Sequence, residues 1–149
     1  EKVRGYLKLG VDEGAVPVAG GGVATEGELE RGYFIKPTVF TGVNMSMRIA
    51  REEIFGPVAV LVPFETTDDA VRLANDTEYG LISYVYAKDP GTGVKLARRM
   101  ESGMVAVNRG LASDPAAPFG GMKESGLGRE GGFAGIHEFL ETQYFAVDL

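Results

Sequence analysis

A carboxylate, an aromatic ring and a rigid turn stand together in Glu53-Ile54-Phe55-Gly56-Pro57. Such a group could receive a ribose diol on the acid and a nicotinamide ring on the aromatic face. The plainer reading of the same residues is a frayed helix end running into a Gly-Pro turn. Asn108 follows a run of apolar residues and could hydrogen-bond a ligand or the next loop, or simply end a strand. Gly126-Leu127-Gly128-Arg129-Glu130-Gly131 fits the G-x-G-x-x-G pattern of dinucleotide-binding turns, but that pattern needs a strand immediately before it. Pro115 to Ser125 holds two prolines and no β run. His137 is the single histidine and has no Ser, Cys or Asp placed to form a relay with it, so it is assigned no role.

The elements that would position these residues follow from periodicity. Val3, Tyr6, Leu7 and Val11 fall at helical spacing in Glu1 to Glu13, and Gly14 suits a helix C-cap. Val16 to Ala19 reads as a strand and Val23 to Gly32 as an exposed acidic loop. Tyr33 to Phe40 is rich in aromatic and β-branched residues but carries Pro37, which argues for an edge or irregular strand. From Val58 the pattern alternates, with strands at Val58 to Phe64, Ile82 to Ala87 and Met104 to Val107. Helices stand between them at Thr67 to Asn75 and Gly93 to Met100. A β-α-β-α-β order implies parallel strands covered by helices. Asn108 to Gly132 then forms a long aperiodic loop, a kind of segment that usually carries function. Phe133, Ile136, Phe139 and Leu140 mark a short helix, and Gln143 to Val147 a last strand.

Composition bounds the function. At 149 residues, with 44% hydrophobic and 24% charged, the chain has the balance of a globular unit able to bury a core, and one domain is the default reading. Its net charge of −6 and scattered basic residues argue against nucleic acid. The longest apolar run, Val58 to Phe64, is far shorter than the roughly 20 residues of a membrane span, so a bilayer is not expected as a partner. With no cysteine and one histidine, no metal site is expected. Cytoplasm is the default location. The helical pattern begins almost at Glu1, as if the chain starts partway through a larger fold.

Arg51-Glu52-Glu53-Ile54-Phe55-Gly56-Pro57, Asn108, Pro118-Phe119-Gly120-Gly121 and Ser125-Gly126-Leu127-Gly128-Arg129-Glu130-Gly131, in this order and at these separations, resemble the carboxyl-terminal part of an aldehyde dehydrogenase. The resemblance runs from the first helix to the terminal strand. It implies a three-layer α/β fold with a largely parallel sheet. Residues 1–142 would be the second half of the catalytic domain, and residues 143–149 an oligomerisation strand of a homodimer or homotetramer.

That family works through a cysteine thiolate, which forms a thiohemiacetal, loses hydride to a nicotinamide and ends as a thioester that water hydrolyses. NAD or NADP is the implied cofactor and a small aldehyde the implied substrate. The resemblance assigns Glu53 and Phe55 to the nicotinamide ribose, and Asn108 and the loop from Arg109 to Gly121 to substrate access, with Phe119 lining the path. It gives Glu130 the proton-relay role found in some members. Arg129 would be structural, paired with an acid such as Glu141. The Leu-Ala-Ser stretch resembles the succinate-semialdehyde dehydrogenase branch, in which a serine at the position of Ser113 helps bind the substrate carboxylate. The plainer reading is that Ser113 caps the turn through Asp114-Pro115.

The charge partner for that carboxylate would be an arginine in the rest of the parent chain, as would the cysteine nucleophile and the glutamate base. The isolated chain is expected to be inactive. Two other readings remain: a nonenzymatic α/β interaction module, and a small dinucleotide-binding domain built on Gly126 to Gly131.

Overall fold

The computed structural model describes residues 1–148. Where size suggested one domain, the chain groups into two compact units, Glu1–Asp69 and Ala70 onward.

The first unit is built on helix α1 (Lys2–Asp12), which ends as expected where Gly14 takes a φ of 95°. Leu7 and Gly10 are buried, whereas Val11, expected on the inner face, is exposed. Gly10 explains the shift. A Cβ there would stand 3.1 Å from Ile49 Cδ1 and 3.1 Å from Phe40 Cζ, so its absence lets both side chains close on the helix. Strands β1 (Val16–Ala19), β2 (Thr38–Thr41) and β3 (Val58–Val60) form one sheet in the order β1-β2-β3, with β1/β2 antiparallel and β2/β3 parallel. The core joins Leu7, Ala15, Phe40, Val43 and Ile49.

Pro37 did not make β2 an edge strand. β2 is central, and it starts after the proline, so no ladder donor is lost and Thr38 N bonds Pro57 O at 2.9 Å. The acidic loop contains a 3₁₀ turn, Gly27–Arg31, that buries nothing. A one-turn helix α2 (Arg48–Arg51), too short for periodicity to reveal, precedes the Glu-Ile-Phe-Gly-Pro segment.

The division between units falls in α3 (Thr67–Asn75), whose bounds match those read from sequence. The second unit continues with β4 (Tyr79–Gly80), β5 (Ile82–Val85), α4 (Pro90–Ala97), β6 (Met104–Val107) and β7 (Met122–Lys123). β5 and β6 run parallel, joined through α4, with Ile82 opposite Met104 and Val85 opposite Val107. α4 starts before the expected Gly93 because Asp89 caps it, accepting from Thr92 N at 2.7 Å, and Pro90 fits the first turn. Gly93, not Val94, therefore faces the sheet, and a Cβ there would lie 2.7 Å from Val107 Cγ1.

The α/β class is as expected, and among the described residues the strands are shared among three small sheets, one of three strands and two of two, in place of one largely parallel sheet. Their ladders are parallel in β2/β3 and β5/β6 and antiparallel in β1/β2 and β4/β7. The expected last helix is a 3₁₀ turn, Gly135–Phe139, and Phe133, Ile136, Phe139 and Leu140 are exposed. Gln143 to Val147 pairs with no strand among the described residues, since a strand exists only against a partner edge. Leu149, the end of that segment, lies outside the described residues.

Phe40 is fully buried between α1 and the sheet. Phe40→Ala is expected to lower unfolding free energy by about 3–5 kcal/mol in a denaturant titration, from lost transfer energy and the cavity left behind. A loss under about 1 kcal/mol would contradict this core.

Candidate functional site

One stripe of α1 fixes the Glu-Ile-Phe-Gly-Pro turn. Val3, Tyr6, Gly10 and Glu13 recur at helical spacing, and each meets the segment from Arg48 to Gly56. Glu13 accepts from Arg48 N at 3.1 Å and so satisfies a free donor at the start of α2. Gly10 receives Ile49. The Tyr6 hydroxyl donates to Glu52 Oε2 at 2.8 Å, while Arg48 donates through Nε to Oε1 at 2.6 Å and through Nη2 to Oε2 at 3.1 Å. Val3 packs against Gly56, where a Cβ would come within 2.6 Å of Val3 Cγ2. The Arg48 guanidinium, then the Tyr6 hydroxyl, hold the Glu52 carboxyl below the usual carboxylate range, and Glu52 in turn raises Arg48.

The two adjacent glutamates thus divide. Glu52 is engaged on both oxygens, whereas Glu53 is exposed and makes no side-chain hydrogen bond or ion pair among the described residues. Phe55 has a φ of 53°, a conformation that a bulky residue adopts only when its surroundings impose it, and its ring is 83% exposed. The segment is a held turn rather than a frayed helix end.

In the second unit, Asn108 extends the β5/β6 ladder by one side chain. Its Oδ1 accepts from Ala87 N and its Nδ2 donates to Ala87 O, both at 2.8 Å, with the residue at a φ of 53°. The amide is largely engaged by backbone, which leaves one N–H and one lone pair for anything else. Past it, Asp114 closes its own turn, accepting from Ala116 N at 2.9 Å. Ser113 does not cap that turn. It is exposed, and among the described residues its hydroxyl has no partner.

Phe119 and Glu130 are brought together by reciprocal backbone bonds of 2.7 and 2.8 Å. Arg129 secures the crossing by donating from Nη1 to Gly121 O at 2.7 Å and Gly128 O at 2.6 Å. These two carbonyls take the place of the expected partner, Glu141. Glu138, not Glu141, reaches this turn, accepting from Arg129 N at 3.2 Å. A cavity of ≈ 400 Å³ opens here, lined among others by Leu81, Phe119, Ser125, Glu130 and Phe139.

The G-x-G-x-x-G turn is not a dinucleotide fingerprint. The strand before it is the two-residue β7, antiparallel to β4, and among the described residues no α-helix follows to point its amides at a phosphate. His137 is exposed on the 3₁₀ turn. Among the described residues no three His, Cys, Asp or Glu are grouped to hold a metal ion, and no helix is long and apolar enough to cross a membrane.

Sequence reasoning missed the holding residues Tyr6, Glu13 and Glu52. The spacing Val3, Tyr6, Gly10, Glu13 was a readable signal for the first two. Nothing local links Tyr6 to a glutamate 46 positions away.

Comparison with known proteins is consistent with this geometry. The sequence pattern of the aldehyde dehydrogenase family matches residues 1–145. A Staphylococcus saprophyticus protein with a provisional aldehyde dehydrogenase name is 48% identical over 146 residues, which is 98% of this chain and 30% of that protein. An apo betaine aldehyde dehydrogenase of Staphylococcus aureus superposes with a TM-score of 0.92 at 40% identity, over 95% of this chain and 28% of that one. A Mycobacterium tuberculosis aldehyde dehydrogenase complexed with NAD+ gives a TM-score of 0.88 at 43% identity, over 97% and 31%. The chain therefore spans less than a third of the length of these relatives.

The Glu52 knot has a pH signature. A carboxyl held low contributes stability that is present above its unfolded range and lost as pH falls through its folded range. The Tm difference between the parent protein and Glu52→Gln is expected to be constant near neutrality and to shrink as pH drops below the ordinary glutamate range. A difference that grows on acidification would contradict the knot.

Proposed function

The chain belongs to the aldehyde dehydrogenase family, and we propose that residues 1–142 are the carboxyl-terminal part of a catalytic domain whose intact enzyme oxidises succinate semialdehyde to its acid with NAD or NADP. The observation that carries this reading is the division between adjacent glutamates. Glu52 is fixed by Tyr6 and Arg48, so Glu53 and the exposed Phe55 ring are presented on a held turn with nothing of their own to bind. A free carboxylate fits the hydroxyls of the nicotinamide ribose, and the ring face fits the nicotinamide. When bound, the cofactor supplies the hydride acceptor. The NAD+ complex of the Mycobacterium tuberculosis relative supports that choice.

The second unit supplies the substrate side in this reading. Asn108 anchors the root of the access loop and keeps one N–H for substrate. Phe119 lines the path. Glu130, held beside Phe119 by backbone bonds, relays a proton. The chain contains no cysteine, so the nucleophile and the base belong to the rest of the intact protein and this chain alone is inactive. Residues 143–149 add a strand to a neighbouring subunit in a homodimer or homotetramer. Tyr144, Phe145 and Val147, 87%, 75% and 76% exposed, are the apolar side chains such pairing would cover.

The name of the Staphylococcus aureus structure suggests a second substrate, an aldehyde bearing a quaternary ammonium. That group is recognised by aromatic faces. Phe119 is the single aromatic residue from Arg109 to Gly121, fewer than a cage around a quaternary ammonium uses, while the Ser113 hydroxyl stands free, which favours the carboxylate.

Steady-state kinetics of the intact enzyme test the assignment. Glu53→Gln is expected to raise the cofactor KM or slow hydride transfer. Ser113→Ala should weaken succinate semialdehyde roughly tenfold or more, the worth of one charge-assisted hydrogen bond, and leave acetaldehyde little changed. Unchanged kinetics in the first variant, or equal loss on both aldehydes in the second, would remove the corresponding role.

A further inference from the structure

Phe119 and Glu130 stand on a loop that closes largely on itself. Their reciprocal backbone bonds join its two arms, Arg129 gathers Gly121 O and Gly128 O, and Gly132 N donates to Pro115 O at 3.0 Å. Bonds of this kind give the loop its shape but do not fix where it stands. The hydrogen bonds that tie it to the rest of the second unit gather at β7 and the two residues after it. Tyr79 pairs with Lys123 and Gly80 with Met122, Glu124 N donates to Glu78 O at 2.9 Å, and Gly80 N donates to Ser125 Oγ at 3.0 Å. A ladder of two residues on each side is a weak hold by itself.

Lys123 reinforces it. Its ammonium donates to Asn75 O at 2.8 Å and to Thr77 O at 3.1 Å and pairs with Glu101 Oε2 at 2.7 Å, so three acceptors meet its three protons. The side chain is only 27% exposed, drawn in where a lysine would ordinarily reach for water. Asn75 closes α3, and a cation suits a carbonyl at a helix end. Asn75 also delivers Glu101, since its side chain donates to Arg99 O at 2.8 Å and accepts from Glu101 N at 3.0 Å. One ammonium therefore fastens β7 both to the end of α3 and to the segment between α4 and β6. The backbone at Lys123 has a φ of 55°, a conformation its surroundings must impose.

We propose that Lys123 is the positioning residue for Glu130: by pinning β7 it sets where the loop holds the Glu130 carboxylate. The proposal rests on the proton-relay role given to Glu130 above. Lys123 acts through Glu130 and not on the substrate. A misplacement of about 1 Å at a reacting group can cost on the order of a hundredfold in rate, so a loosened loop is visible in turnover.

The test compares the intact enzyme with Lys123→Asn, Lys123→Arg, Glu130→Gln and the double variant Lys123→Asn/Glu130→Gln. Asparagine tolerates the left-handed backbone but is too short to reach the three acceptors, so it removes the tie without adding strain. Glu130→Gln is expected to lower kcat roughly a hundredfold. Lys123→Asn should lower kcat roughly tenfold with the cofactor KM within about twofold, and Lys123→Arg, still able to donate to the same carbonyls, should recover most of the loss. On the Glu130→Gln background Lys123→Asn should cost less than about twofold more, because a group already removed cannot be misplaced.

A full further loss on that background would show Lys123 acting elsewhere and overturn the positioning while the relay stands. An unchanged kcat in Lys123→Asn would overturn it as well. Parent-like kinetics in Glu130→Gln would overturn the relay and the positioning together. Should Lys123→Asn fail to fold, Glu101→Ala carries the same comparison, since it removes one acceptor and leaves both carbonyls in place. It is expected to lower kcat about threefold in the parent and not on the Glu130→Gln background, and an equal loss on both would overturn the proposal.

Discussion

The contact between one stripe of α1 and the segment from Arg48 to Gly56 is the constraint from which the proposed cofactor role follows. A chain that leaves a one-turn helix and enters a Gly-Pro turn has few backbone bonds of its own, so side chains from another element must hold it. α1 does so with a carboxylate at Arg48 N, a missing side chain at Ile49, a phenol at Glu52 and an isopropyl group at Gly56. The phenol and Arg48 saturate Glu52, and this leaves its neighbour Glu53 unengaged. Phe55 takes its positive φ between Glu52, held by Tyr6 and Arg48, and Gly56, packed on Val3.

The second unit solves the same problem in its own way. Its long loop has almost no ladder, and it is held where single side chains replace missing backbone partners. Asn108 imitates a strand residue opposite Ala87, Asp114 closes its turn, and Arg129 gathers the carbonyls of Gly121 and Gly128. Lys123, at a φ of 55°, ties β7 back to Asn75 O and Thr77 O at 2.8 and 3.1 Å. Held at these points, the loop leaves the Ser113 and Glu130 side chains exposed and Phe119 half-buried.

The regular elements were legible wherever a local period decided them. α3 and β6 have the bounds their patterns gave, since an apolar stripe or a β-branched run needs no distant partner to declare itself. α4 starts earlier than its apolar spacing indicated because Asp89 and Pro90 open it, and Gly93, which has no side chain to show in a period, is the contact residue. β4 and β7, two residues each, exist only through their pairing and carry no period. Pro37 was weighed as if inside a ladder when it stands one residue outside.

The candidate site was legible in a different sense. Glu53, Phe55, Asn108, Ser113, Phe119 and Glu130 were singled out through motifs, while physics alone left Glu53, Phe55, Asn108 and Ser113 with a plainer reading. The structure removes two of those readings, the frayed helix end at Glu53 and the Ser113 turn cap. It shows Asn108 mainly as a latch. What could not be read was the set of holding contacts, Tyr6 to Glu52 and Arg129 to Gly121 and Gly128, which join residues whose types fit many partners. The most direct measurement is a crystal structure of the intact enzyme with NAD or NADP bound. The account predicts the Glu53 carboxylate within hydrogen-bond distance of the nicotinamide ribose hydroxyls, the Phe55 ring against the nicotinamide, and Glu52 still held by Tyr6 and Arg48. A cofactor whose ribose is met by other residues, with Glu53 left in solvent, would contradict it.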